Sequence, residues 1–141
     1  MRGCFESWRL PMDVNWLGVL VSVILVFAIG ALWYGPLFLK SWMLAQGLPA
    51  DTRFKPHPAR AFGGAGVAGI VAALAMNFLI GPDPDVSRGI SVGRAAGIGI
   101  GATTIAINYG FAGKTNALLI IDAGYTILLF ALIGLAFGLL G

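Results

Sequence analysis

The possible chemistry of this chain gathers at Asp122, which stands in Ile120-Ile121-Asp122-Ala123-Gly124-Tyr125, inside a long apolar run. An ionised carboxylate at membrane depth costs roughly 2.5 to 3.5 kcal/mol on insertion scales, so it must face other helices, pair, or hold its proton. Its candidate companions are the amide Asn108 and the phenols Tyr34, Tyr109 and Tyr125. Only Lys114 to Asn116 separates the run holding Asn108 from the run holding Asp122, which predicts a tight antiparallel hairpin. Along ideal helices Asn108 and Asp122 then lie about 9 Å and 12 Å from that turn, at depths that let them meet. Asp122, Tyr125, Thr126 and Leu129 share one helical face. The acid has two candidate roles. It binds a proton or orients a ligand, or it is structural, capping the last helix or bonding Asn108 or a tyrosine to lock the hairpin.

Other motifs carry less. Cys4 is the only cysteine, so no internal disulfide is possible. His57 lies between Pro56 and Pro58 with no second ligand nearby, and is expected to be a solvated loop residue and not part of a metal site. Gly97-Ile98-Gly99-Ile100-Gly101 is GxGxG with no strand before it. Gly113-Lys114-Thr115 resembles the end of a phosphate loop, but Asn108 occupies the position of its first glycine. A single acid, with no carboxylate partner, metal cluster or nucleophile beside a base, assembles no catalytic centre, so no enzyme activity and no cofactor are expected.

The elements that must position Asp122 are membrane spans. With 58% hydrophobic and 11% charged residues, the chain lacks the polar surface of a water-soluble globule. The expected fold is all-α: a single domain over residues 1–141 with four transmembrane helices and a short interfacial helix after the first. Residues 1–11 differ in character from the rest of the chain, and Met12 is an alternative start. The net charge of +3 resides in loop Lys and Arg without a basic stripe, which points to membrane orientation and not to nucleic acid. The first span is expected over Val14 to Tyr34, about 31 Å as a helix. Trp16, Trp33 and Trp42 are expected as interface anchors. Gly35-Pro36 interrupts the helix, and Pro36 to Gln46 reads as the interfacial helix, or as a kinked continuation of the span.

The second span is expected from Ala61 to about Gly81, the third from Ala95 to Gly113 with Arg88 and Arg94 flanking its start, and the fourth from Ala117 to Gly141. Gly63, Gly64, Gly66 and Gly69 open the second, Gly93, Gly97 and Gly101 recur every fourth residue in the third, and Gly134 and Gly138 repeat that spacing in the fourth. In lipid such small-residue stripes let helix backbones approach, in this chain or in another. Asn77, towards the other leaflet, is expected to join helices. Lys40, Arg53, Lys55, Arg60 and Lys114 lie on one side of the membrane against Arg88 and Arg94, joined by Arg2 and Arg9 if Met1 is the start. That balance favours loops 40–60 and 114–116 inside and both termini outside.

Asn15-Trp16-Leu17, Gly30-Ala31-Leu32-Trp33-Tyr34-Gly35-Pro36-Leu37, Lys40-Ser41-Trp42-Met43 and Ile121-Asp122-Ala123-Gly124-Tyr125 together resemble the small bacterial membrane family catalogued as domain of unknown function 1761. The resemblance covers nearly all of Asn15 to Gly141 and implies four helices but no biochemical activity. In that family a histidine commonly follows the last tyrosine; here the position is Thr126. The leading functional expectation is a non-catalytic structural or accessory protein of the bacterial cytoplasmic membrane, in contact with lipid and self-associating or bound to other membrane subunits. The alternative is a small oligomeric transporter or channel with Asp122 as its intramembrane acid.

Overall fold

The computed structural model describes residues 13–49, 51 and 57–141, and the expectations for residues 1–11, Cys4, Met12, Arg53 and Lys55 lie outside these. Helix α1 (Trp16–Leu32) begins where the Asn15 side chain accepts a hydrogen bond from the Gly18 amide at 2.9 Å, satisfying one of the free donors of a first turn. It runs into a wide π-helical turn over Trp33–Leu37. Pro36 offers no N–H there and Gly35 leaves helical geometry (φ −109°, ψ −107°), so the Phe38 amide reaches back to the Trp33 carbonyl. Helix α2 (Leu39–Ala45) comes immediately after. Both sequence readings of this region therefore hold in part: the span continues through Leu37 and is kinked, and a separate short helix leaves it. Gly47, at φ +77°, ends α2.

Helix α3 (Pro58–Ile80) starts earlier than expected. His57 is exposed, as expected, but it also caps this helix: its Nδ1 accepts from the Arg60 amide at 3.4 Å, with Pro58 in the first helical position. Gly81 (φ +80°) stops α3 before the Pro82-Asp83-Pro84-Asp85 turn. Asp85 then caps α4 (Val86–Ala96) through a 2.7 Å bond from the Arg88 amide. The third span thus starts at Val86, which corrects the placement of Arg88 and Arg94 outside it. Arg88 lies in the first helical turn and donates from Nε to the Ile80 carbonyl at 2.7 Å, closing the C-terminus of α3. Arg94 is exposed on the same helix, where its long stem lets the charge reach the interface.

A second π-helical segment, Gly97–Ala102, joins α4 to α5 (Thr103–Phe111). Carbonyls loosened in the wide turn are taken by hydroxyls: Thr103 Oγ1 donates to Gly99 O at 2.8 Å and Thr104 Oγ1 to Ile100 O at 2.6 Å. After a short turn with Gly113 at φ +64°, Thr115 caps α6 (Asn116–Leu140), which corrects the idea that Asp122 caps the last helix. Trp16–Leu37, Pro58–Ile80, Val86–Phe111 and Asn116–Leu140 contain 22, 23, 26 and 25 residues, each long and apolar enough to cross a bilayer that needs about 20. The chain is an integral membrane protein.

Helix α6 lies centrally, packed on α1, α2 and α4. Its closest neighbour is α4, where the backbones meet at the glycine stripe: a Cβ on Gly89 would overlap the Gly134 carbonyl, and one on Gly134 the Gly89 carbonyl. A side chain on Gly97 would come within 2.9 Å of the Ile127 Cα, and one on Gly138 within 2.7 Å of the Val86 Cα. The buried core sits beside this crossing, with Ala73, Met76, Ile80, Ile133 and Phe137 almost fully covered. Phe137 lies over Gly18 of α1, a glycine the sequence did not single out. Where α3 meets α4 the contact is slight, and α3 makes no appreciable contact with α5. The bundle is therefore tightest at the crossing of α4 and α6 towards the Asn15 end, where a cleft of about 800 Å³ nonetheless lies beside Asn15, Asn77 and Phe137, and it opens towards Asp122.

Candidate functional site

Two sequence motifs interlock at the open end. The Trp33 indole donates from Nε1 to the Ile121 carbonyl at 3.0 Å, and its ring lies against Gly124, where a Cβ would come within 3.2 Å. This brings Tyr34, the next residue, to α6, where its hydroxyl donates to Asp122 Oδ1 at 2.7 Å. From the other side Tyr109 of α5 donates to Oδ2 at 2.5 Å. Tyr125, one turn beyond Asp122, packs its ring 5.1 Å from that of Tyr34, inclined at 60°, and donates to the Val26 carbonyl of α1 at 3.3 Å. The acid is buried at 8% exposure and takes one phenol on each oxygen, so it ties the first, third and fourth spans together.

The expected companions divide accordingly. Tyr34, Tyr109 and Tyr125 gather with Asp122; Asn108 does not, being exposed on the outer face of α5. Depth brought it level with the acid, but neighbouring helical residues point about 100° apart, and it is Tyr109 that faces inward. Thr126 turns its hydroxyl back to the Asp122 carbonyl at 2.9 Å instead of entering the cluster. Trp33 is half-buried and hydrogen-bonded within the protein, whereas Trp16 is 68% exposed at the start of α1. Trp42 meets Tyr34 edge to face at 5.9 Å and so belongs to the cluster's surroundings. Asn77 accepts from the Asn15 amide at 3.1 Å and donates to the Asp13 carbonyl at 3.3 Å, joining α1 and α3 far from Asp122.

The glycines divide in the same way. Gly93, Gly97, Gly101, Gly134 and Gly138 are spent on the contact between the third and fourth spans. Gly69 receives Val26 of α1 at 3.1 Å from its missing Cβ and Gly66 lies near Phe27, but Gly63 has no neighbour within 4 Å, which corrects its place among the packing residues of this chain.

Beside the acid lies a cleft of about 780 Å³. Phe27, Tyr34 and Trp42 line it from the first span and α2, Phe62 and Ala65 from α3, and Tyr109, Asp122 and Tyr125 from the third and fourth spans. No Lys, Arg or His is in the lining. A second cleft of about 740 Å³ adjoins it along the same gap, between the face of α3 bearing Gly63, Gly64, Val67 and Val71 and the π-helical segment at Ile100 and Gly101. Its walls are entirely apolar. No three His, Cys, Asp or Glu side chains converge among the described residues, so Asp122 acts as a single carboxylate. Such a site can bind, orient or exchange a proton with a small molecule. The cleft itself was missed by sequence reasoning; the unpaired glycines at the start of α3 were its one trace.

A family model described as Protein of unknown function (DUF1761) matches residues 17–138. No curated protein and no solved structure matches the chain.

Proposed function

The chain belongs to the DUF1761 family over nearly its whole length, and from that premise we propose that it is a non-catalytic, ligand-binding protein of a cytoplasmic membrane that takes a small membrane-soluble molecule into the cleft at Asp122. One observation supports this reading above the others: the buried acid forms part of the wall of a cleft of about 780 Å³, and is not sealed inside the core. An acid needed only to lock helices gains nothing from an adjoining cavity, whereas intramembrane ionisable groups that serve function face such spaces. Movement of the ligand across the membrane by four helices requires a second copy. Loops 40–60 and 114–116 face the cytoplasm in this proposal, on the strength of their Lys and Arg.

The accessory-subunit reading draws on a different observation. The Gly63 and Gly64 face of α3 has no neighbour in this chain, and a small-residue face in lipid accepts a helix. Native mass spectrometry of gently solubilised protein separates the two. The ligand-binding reading expects a small-molecule adduct on the chain that Ala65→Phe, which fills the cleft, displaces. An adduct-free chain travelling with a stoichiometric foreign polypeptide favours the accessory role.

A further inference from the structure

The chemistry of the cleft defines a ligand class, an inference that rests on the ligand-binding reading above. Asp122 has a phenol donor on each oxygen and no Lys, Arg or His in the surrounding lining. Phenol hydroxyls orient and partly stabilise a carboxylate, but they do not neutralise it. Six aromatic rings, Phe27, Tyr34, Trp42, Phe62, Tyr109 and Tyr125, border the cleft among aliphatic and small side chains, with Gln46 and Thr126 as the other polar groups. Aromatic faces present negative potential, which attracts cations and repels anions, and does so more strongly where water is excluded. A carboxylate amid aromatic faces therefore selects for positive charge twice. A small inorganic cation is the wrong occupant: it would need a shell of oxygen ligands, and the lining offers one carboxylate and few other oxygens. The adjoining apolar cleft of about 740 Å³ extends the site along Val67, Val71 and Ile100, giving room for a hydrocarbon portion.

We propose that the cleft binds a lipophilic organic cation, an amine or quaternary onium, with its charge beside Asp122 among the aromatic rings and its apolar body along α3. Because the gap lies between the second and third spans, such a ligand enters from the lipid.

The test compares isosteric ions on the intact protein in lipid nanodiscs, by tryptophan fluorescence and equilibrium dialysis: tetraphenylphosphonium, tetraphenylborate, and neutral triphenylphosphine oxide as the uncharged probe. The expected result is saturable tetraphenylphosphonium binding at least about tenfold tighter than that of either other probe, weakened at least about tenfold by Asp122→Asn and by Trp42→Leu. The wild-type comparison of ions stands even if a variant fails to fold. Equal binding of all three probes, insensitive to Asp122→Asn, overturns the cation class while leaving a ligand-binding cleft in place. Binding of none of them overturns both the cation class and the reading on which it rests.

Discussion

The two ends of this molecule use similar materials to opposite effect. At the Asn15 end, polar side chains are spent on backbone: Asn15 reaches the Leu140 carbonyl, Asn77 the Asp13 carbonyl ahead of α1, and Arg88 the Ile80 carbonyl at the end of α3. Glycines there disappear into the crossing of α4 and α6, Met76, Ile80 and Phe137 are buried beside it, and the cleft of about 800 Å³ that remains is bordered by backbone-bonded Asn15 and Asn77. At the Asp122 end, polar side chains bond one another, aromatic rings gather around the acid, and Gly63 and Gly64 of α3 face empty space. The first end holds the fold, which frees the second to keep a gap between spans. The π-helical segment at Gly97–Ala102 lies at the boundary between the two regimes, where the third span changes its packing.

Substitutions that strike the tightly packed crossing near the Asn15 end should hurt most. Gly134→Leu drives a side chain into the Gly89 backbone and is expected to cost about 3 kcal/mol or to prevent folding, read as lost monodisperse yield and a lowered unfolding midpoint. Asn77→Leu removes two interhelical bonds and leaves the Asn15 amide without its acceptor, an expected loss of about 2 kcal/mol in reversible unfolding from mixed micelles. At the open end Tyr34→Phe should cost only about 1 kcal/mol, since a single interhelical hydrogen bond in lipid is worth about that or less. Smallest of all is Gly64→Ala, which meets nothing and is expected to shift stability by less than about 0.5 kcal/mol. If Gly64→Ala instead rivalled Gly134→Leu, the uncovered face of α3 would have to be occupied by another chain, and the contrast between the ends would fail.

Much of the Asn15 end was legible in the sequence, because length, apolarity and the four-residue repeat of small side chains constrain helices directly. Asp122 and its three tyrosines were also legible, since depth along a hairpin is set by residue count. Azimuth was not. Asn108 was expected beside Asp122 together with Tyr109, but only Tyr109 faces it; the π-helical segment upstream adds residues per turn, which rotates everything after it relative to an ideal helix. Trp33 obeys the rule for aromatic rings at span ends in the sequence, yet the bare backbone at Gly124 and the Ile121 carbonyl draw it inward. The third span was placed too late because Arg88 and Arg94 look like loop residues; one caps a neighbouring helix and the other is exposed. A cleft leaves almost no local signal, being a property of which helices fail to meet.

The central claim, that the acid serves a ligand more than the fold, is tested most directly by measuring stability and adduct retention together on Asp122→Asn, by reversible unfolding and native mass spectrometry of the same preparation. The amide side chain keeps an acceptor for one phenol, so stability should fall by no more than about 1 kcal/mol, while the small molecule retained by the wild-type chain is lost. Loss of folded protein in proportion to loss of the adduct, or an adduct that survives the substitution unchanged, would contradict the account and leave Asp122 as a structural lock between helices.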